Sequence, residues 1–229
     1  MNDQDLLNQD KPKNFILITG MALAVLLPLS MIFLRRYPHI DYTEKIYYSL
    51  VIDWVTVLIL WLYAYKIERN SLLIWTGGDT GVGFTIVSVL VLYMLYVLVV
   101  VISSIPWWFG YRENGRLATE ILRLLRGHPI LIFFISITAG VTEEITIRGY
   151  LLTRLSMYFK GYYVPVIISS AIFSALHYSY HSLSEFIFTF LLGIVCSVYY
   201  IRYRNIHALI IVHFLIDFIV FNSAHNTFY

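Results

Sequence analysis

Long apolar runs separated by short polar connections dominate this chain. The 229-residue sequence is 59% hydrophobic and only 13% charged, with a mean hydropathy of +0.72, which lies outside the usual composition of a soluble domain. A run of about 20 apolar residues can cross the hydrocarbon core of a bilayer as an α-helix. Because a helix satisfies its own backbone hydrogen bonds, it is stable in lipid. The sequence therefore predicts an all-α, polytopic transmembrane helical bundle.

The apolar runs predict about seven membrane spans. The first run is too long for a signal peptide and lacks a small-residue cleavage site, so we interpret it as a retained span. The predicted spans are Phe15–Leu34, Ile46–Tyr65, Phe84–Ile105, Ile130–Leu155, Val164–Tyr178, Phe186–Tyr200 and Ile206–Phe221.

The segment Arg116–Arg126 has a different pattern, because apolar and charged residues alternate at helical spacing. We predict an amphipathic helix that lies along the membrane surface rather than an eighth span. Its apolar side consists of Leu117, Ile121, Leu124 and Leu125, and its polar side of Arg116, Glu120, Arg123 and Arg126.

Composition divides the chain into four parts. Residues 1–14 form a polar tail, residues 15–128 hold the first spans and the amphipathic segment, residues 129–222 form a helical core whose spans carry polar residues, and residues 223–229 form a second tail. The net charge of +2 is spread over both signs, so a nucleic-acid partner is not expected. The connections on one side of the last four spans are expected to carry Arg154, Lys160, Arg202 and Arg204. The arginines near Arg116 then lie on the opposite side of the membrane. The orientation of the chain in the membrane therefore stays open.

Three polar motifs occupy the spans of the helical core. Residues four apart lie on one helix face, and ionisable groups at bilayer depth are costly enough to suggest function. We expect Arg148 to pair with Glu144, which leaves Glu143, about 100° around the helix, available for chemistry. Polar groups in lipid find one another across helices, which predicts one buried, water-containing pocket. The motifs are Glu143-Glu144-x-x-x-Arg148, Phe173-x-x-x-His177 and His213-x-x-x-Asp217.

Each motif also has a purely structural interpretation. Glu144 and Arg148 can form an ion pair that only stabilises the helix, with Glu143 as a second acceptor. His177 can be a histidine at a helix end near the interface, and His213 can hydrogen-bond Asp217 within its own helix. Phe173 then only packs. The occurrence of all three motifs in the last four spans favours a shared functional pocket.

In this order and at this spacing, the three motifs resemble those of the CAAX protease and bacteriocin-processing (CPBP, or Abi) family of intramembrane proteases. The resemblance covers about residues 130–221, and Arg148-Gly149-Tyr150-Leu151 strengthens it. It implies an endopeptidase, similar to enzymes that remove three residues from a prenylated C-terminus. It also implies a catalytic core at residues 129–222 and a location in a prokaryotic plasma membrane.

The resemblance implies a role for each motif residue. Glu143 would be the general base that takes a proton from water, and His177 would hold that water. His213 and Asp217 would stabilise the oxyanion, while Glu144, Arg148 and Phe173 would support the geometry. Asp217 departs from the asparagine that could donate a hydrogen bond directly. It would instead orient His213.

Other mechanisms and functions fit the same residues. No cofactor is expected, but Glu143, His177 and His213 could bind zinc in a metal-dependent version of the protease. Buried acids and histidines also suit a proton-coupled carrier, although the chain has no inverted repeat. A non-catalytic scaffold or immunity protein is a third alternative. The expected partners are the lipid bilayer and a peptide or protein substrate with or without a lipid. The oligomeric state is left open.

Overall fold

The computed structural model describes residues 12–35, 39–75, 77–78, 80–111, 116–178 and 182–223. Most of the two predicted tails, at 1–14 and 223–229, lies outside these ranges. The α-helices are α1 (Asn14–Arg35), α2 (Tyr42–Tyr63), α3 (Val82–Ser103), α4 (Ile105–Trp108), α5 (Arg116–Leu125), α6 (Pro129–Glu143), α7 (Thr153–Tyr158), α8 (Tyr163–Leu176), α9 (Leu183–Tyr203) and α10 (Ile206–Ser223), with π-helical segments at Ala64–Glu68 and Glu144–Leu152.

Local sequence signals explain several helix ends. The side chain of Asp41 accepts a hydrogen bond from the backbone N–H of Glu44, whose own side chain accepts one from Asp41, so α2 begins with a capping box. Proline at the first position of α6 is tolerated because that backbone nitrogen needs no helical partner. Arg204 adopts a left-handed backbone conformation (φ 53°) and ends α9.

The helical membrane fold is confirmed. Six helices in the described part of the chain have the length and apolar composition to cross a membrane: Asn14–Met31, Tyr42–Glu68, Val82–Trp108, Pro129–Tyr158, Leu183–Tyr203 and Ile206–Ser223. The predicted span Val164–Tyr178 is instead the 14-residue helix α8. At 1.5 Å per residue, α8 is about 21 Å long, shorter than the roughly 30 Å hydrocarbon core. It packs against the bundle through one buried face, which includes Val166, Ser170 and Phe173, while Val164 and Ile167 are exposed.

The π-helical segment Glu144–Leu152 lies at the centre of the bundle. It contacts α1, α2, α8, α9 and α10, and all of its residues except Ile145 are buried. One hydrophobic cluster, around Leu152, Leu209 and Val212, packs on one side of it. A second, around Leu60 and Tyr150, packs on the other. The sequence predicted an uninterrupted α-helix here, whereas the widened π turn is a feature often found at functional sites.

Arg154 is fully buried within α7, which corrects its predicted place in a connection between spans. Its Nε and Nη2 donate to Glu68 Oε2 over 3.1 and 2.7 Å, and its other donors reach the carbonyls of Ser71 and Leu72. The Tyr150 hydroxyl donates to Glu68 Oε1 over 2.6 Å. This network joins the end of α2 to the second half of the chain and replaces the hydration that a charged pair loses on burial.

Helix α5 is amphipathic, as predicted for Arg116–Arg126. Leu125 is buried and Ile121 partly buried, while Arg123 and Arg126 are exposed. The helix packs against α2 and α6. The side chains of Arg116 and Leu117 lie outside the described part of the chain.

Candidate active site

A cavity of about 540 Å³ lies between the helices, and residues from both halves of the chain line it. All four residues that the sequence suggested as catalytic contribute to its wall: Glu143, His177, His213 and Asp217. Apolar side chains from α1, α2, α5 and α10 line other parts of it, including Met31, Leu50, Ile121, Leu122 and Val220. The pocket predicted from the polar motifs is therefore present.

Glu144 is the central anchor of the site and is not itself part of the cavity wall. Its Oε1 accepts a hydrogen bond from Arg148 Nη1 over 2.9 Å, the predicted pair one turn apart. The same oxygen lies 2.8 Å from Nδ1 of His213 on α10. Glu144 and Arg148 are both 1% exposed, so the pair is held in a site without bulk water. The contact with His213 was not predicted, since Glu144 was expected to pair with Arg148 alone.

Glu143, the last residue of α6, is oriented differently from its neighbour. Its side chain is 30% exposed and lines the cavity. Its Oε2 makes no hydrogen bond within the described part of the chain and lies 3.8 Å from Nε2 of His213. That distance is too long for a direct hydrogen bond. Oε2 itself is buried, so water reaches Glu143 through the exposed part of the side chain that lines the cavity. The two adjacent glutamates therefore have separate environments.

His213 lies among three carboxylates. Glu144 lies at Nδ1 of the His213 ring, and Glu143 lies at Nε2. The Oδ2 atom of Asp217 also lies 3.8 Å from Nε2. The structural alternative for this motif, a hydrogen bond within α10 between His213 and Asp217, does not fit this distance, because 3.8 Å is an ion-pair distance rather than a hydrogen-bond distance. A ring nitrogen that faces carboxylates acts as a donor, so Nε2 presents an N–H group to the cavity.

His177 is held by the end of its own helix. Its Nδ1 lies 2.9 Å from the carbonyl oxygen of Phe173, and the two rings meet edge to face with centroids 4.7 Å apart. In a neutral imidazole Nδ1 donates to that carbonyl, which makes Nε2 the acceptor. The guanidinium carbon of Arg148 lies 4.5 Å from the centroid of the Phe173 ring. Phe173 thus connects Arg148 to His177 and does more than fill space.

Three cavity residues escaped the interpretation of the sequence. Asp53 of α2, Tyr96 of α3 and Glu185 of α9 line the same space. Asp53 gave a detectable signal as the single charged residue of its predicted span. Tyr96 gave none, because it is one of 19 tyrosines. Glu185 resembled an ordinary residue of a helix start, where its backbone N–H donates to the capping hydroxyl of Ser182.

The metal-dependent alternative requires ligand side chains that converge on one point. Within the described ranges, no three histidine, cysteine, aspartate or glutamate side chains converge as ligands for a metal ion. The combination of Glu143, His177 and His213 does not meet that condition. His181, which could extend such a set, lies outside the described residues.

Comparison with known families agrees with the geometry. Residues 126–219 match the family model described as type II CAAX prenyl endopeptidase Rce1-like. The matched segment contains all three polar motifs and confirms the resemblance. No curated protein and no solved structure matches the chain. The six membrane-competent helices in the described part of the chain support a multi-pass integral membrane protein, and residues 126–219 of this protein are similar to a peptidase family.

Proposed function

We propose that this chain, whose residues 126–219 match the model of the type II CAAX prenyl endopeptidase Rce1-like family, hydrolyses a peptide bond inside the membrane with Glu143 as general base. The observation that carries this proposal is the placement of Glu143 Oε2. This oxygen has no hydrogen-bond partner in the described part of the chain, lies 3.8 Å from His213 Nε2 and shares a cavity with His177. A carboxylate so placed can hold and deprotonate a water molecule.

The reaction follows from the two histidine orientations. His177 Nε2 accepts a hydrogen bond from the water, and Glu143 takes a proton as the water oxygen bonds to the scissile carbonyl carbon. The carbonyl π electrons move to oxygen, and this oxyanion accepts a hydrogen bond from His213 Nε2. When the intermediate collapses, the C–N bond breaks and the amine leaves with the proton from Glu143. The new carboxylic acid releases its proton to water.

The remaining residues position these groups. Glu144 accepts from Nδ1 of His213 and thereby fixes the ring orientation, while Arg148 balances the Glu144 charge. Asp217, 3.8 Å from Nε2, keeps a hydrogen on that nitrogen. This assignment gives Asp217 an orienting role that does not require it to donate.

We propose a lipidated peptide of a prokaryotic plasma membrane as substrate. The cavity wall combines the polar motif residues with apolar side chains from α1, α2, α5 and α10, among them Met31, Leu50, Ile121 and Leu122. A prenyl chain attached near the scissile bond could bury its apolar surface against this part of the wall. The peptide backbone would then lie beside Glu143.

The test uses purified protein and a quenched fluorescent peptide with a prenylated cysteine followed by three residues. We expect cleavage by the wild type and none by Glu143→Gln, which removes the base and nearly preserves the shape. Glu120→Gln, on α5 and away from the cavity wall, is the matched control and should cleave normally. Turnover by Glu143→Gln at the wild-type rate would contradict the proposal.

A parallel assay separates the glutamate mechanism from the zinc alternative. The protein is stripped with a chelator, its metal content is measured, and cleavage is assayed before and after zinc is added. We expect the stripped protein to retain full activity. Activity that disappears with the metal and returns with zinc would favour the metal-dependent version.

A further inference from the structure

The motif residues supply few hydrogen-bond donors for the hydrolysis proposed at this site. The scissile carbonyl oxygen becomes an oxyanion, which is best stabilised by donors fixed before the reaction. His213 Nε2 is one such donor. Asp217 stands where an asparagine would offer a second N–H group, but an ionised carboxylate only accepts. A second donor must come from elsewhere in the cavity wall.

Several hydroxyl groups of the cavity wall already donate to their own backbone. Four of them donate to a carbonyl oxygen three or four residues earlier in their own helix, over 2.7–2.9 Å. These residues are Ser49, Thr56, Ser103 and Thr142. A hydroxyl bonded in this way has its single hydrogen turned toward its own backbone. Such groups are poor candidates for donors to a substrate.

Tyr96 differs from these residues. Its side chain lines the cavity from α3, and its hydroxyl makes no hydrogen bond within the described part of the chain. The ring is held edge to face by Phe188, with centroids 5.8 Å apart, and by a tilted contact with Tyr93 at 5.5 Å. The ring therefore has a fixed position while its hydroxyl hydrogen is available.

The position of Tyr96 brings it toward Asp217. Helix α3 packs on α10, which carries Asp217, and on α9, which carries Phe188. Tyr96 and Asp217 line the same cavity. Tyr96 also lies outside residues 126–219, the segment that matches the peptidase family. A contribution from α3 would explain how a chain with aspartate at position 217 retains two donors.

We propose that the Tyr96 hydroxyl is the second oxyanion donor of this site, in the role that the Asp217 carboxylate cannot fill. This inference rests on the proposed peptidase function. In the attack step, water adds to the carbonyl carbon, Glu143 receives the proton, and the negative oxygen accepts hydrogen bonds from His213 Nε2 and Tyr96 Oη. Both donors retain their hydrogens, so the proton balance of the reaction is unchanged.

The first experiment removes only the hydroxyl. Tyr96→Phe keeps the ring and its contact with Phe188, and we expect kcat to fall on the order of 100-fold with little change in KM, as for other oxyanion donors. Tyr93→Phe is the matched control on the same helix, because Tyr93 packs beside Tyr96 without lining the cavity. It should retain wild-type kcat. A Tyr96→Phe enzyme with wild-type kcat would overturn the proposal.

A double-mutant cycle distinguishes an oxyanion donor from a residue with a purely structural role. Asp217→Asn introduces an N–H donor, so in that background Tyr96→Phe should cost much less than it costs alone. Equal losses in both backgrounds would contradict the shared role. Thr146 also lines the cavity, and Thr146→Val tests it as a rival: a loss there and none in Tyr96→Phe would assign the donor to Thr146.

The outcomes also separate this inference from the function on which it rests. If the wild type cleaves and Glu143→Gln does not, the peptidase assignment holds and the Tyr96 variants decide the donor. If Tyr96→Phe then matches the wild type, only the inference about Tyr96 fails. If the wild type does not cleave, the proposed function fails and the donor assignment fails with it. If the wild type and Glu143→Gln cleave equally, only the assignment of Glu143 as base fails, and the Tyr96 variants still decide the donor.

Discussion

Oε1 of Glu144 lies 2.8 Å from Nδ1 of His213, although the two residues are 69 positions apart. The same oxygen accepts from Arg148 over 2.9 Å. One carboxylate oxygen therefore joins the stabilising pair of the π-helical segment to the imidazole that faces the substrate cavity. In this arrangement the charge of Arg148 balances the charge of Glu144. Glu144 in turn accepts a hydrogen bond from Nδ1 of His213, which fixes the orientation of that ring.

Glu144→Gln should impair both stability and catalysis. The substitution leaves the buried guanidinium of Arg148 without its opposite charge, which typically costs about 3–5 kcal/mol. An amide also lets the His213 ring turn, so kcat should fall as well. Thermal unfolding in detergent and steady-state cleavage measure the two effects. Glu120→Gln is the control, and a Glu144→Gln protein with both wild-type Tm and wild-type kcat would refute the anchoring role.

Phe173→Leu should lower kcat through His177. The Phe173 ring lies under the Arg148 guanidinium at 4.5 Å and against the His177 ring at 4.7 Å. Loss of the Phe173 ring removes a desolvated cation–π contact with Arg148 that is worth about 2 kcal/mol. It also removes the ring that holds the His177 imidazole in place. A misplaced catalytic group can cost about 100-fold in rate.

The control for this variant is Phe218→Leu, which removes a ring stacked on Phe214 of the same helix, with centroids 5.5 Å apart. Phe218 is absent from the cavity wall, so this change should affect Tm more than kcat. Stopped-flow or steady-state cleavage, normalised to folded protein, supplies the comparison. A similar small loss of kcat in both variants would mean that Phe173 only packs.

Part of this site could be predicted from helical spacing alone. The four-residue spacing of Glu144 and Arg148 places them on one face, and the structure contains that pair. The contact between Glu144 and His213 could not be predicted, because it depends on how α10 is rotated against the π-helical segment. Nothing in the local sequence indicates that rotation, or the widening of the helix after Glu143.

The same limitation explains why the positions of Arg154 and Tyr96 in the structure were not predicted. An arginine at the end of an apolar run is typical of an exposed membrane boundary, and the partner that buries Arg154 is Glu68, 86 positions earlier. Tyr96 lies in an apolar run where a tyrosine has many structural uses. Only the packing of α3 against α9 and α10 brings it into the cavity. Sequence patterns therefore predict pairs within one helix far better than pairs between helices.

Glu68→Gln should destabilise the protein without changing its chemistry. Glu68 accepts hydrogen bonds from both Arg154 and Tyr150, and its side chain is 1% exposed. Removing its charge leaves Arg154 uncompensated, so the free energy of unfolding should fall by about 3 kcal/mol. Because Glu68 does not line the cavity, kcat per folded molecule should stay unchanged at a permissive temperature.

Glu44→Gln is the comparison for that measurement, since Glu44 is exposed and only caps α2. It should shift the denaturation midpoint far less than Glu68→Gln. Equal midpoints for the two variants would show that the buried network does not hold the halves of the chain together. A selective loss of kcat in folded Glu68→Gln would instead connect the network to catalysis.

Leu122→Ala should weaken substrate binding if α5 forms part of the wall for a lipid chain. Leu122 lines the cavity, whereas Leu124, two residues later on the same helix, does not. Losing the contact of one leucine side chain with an apolar ligand costs about 1.5 kcal/mol, roughly a 10-fold rise in KM. Because Leu122 lies outside the reacting groups, kcat should change little. Leu124→Ala controls for loosening of α5, and an equal rise in KM for both variants would exclude a direct contact between Leu122 and the substrate.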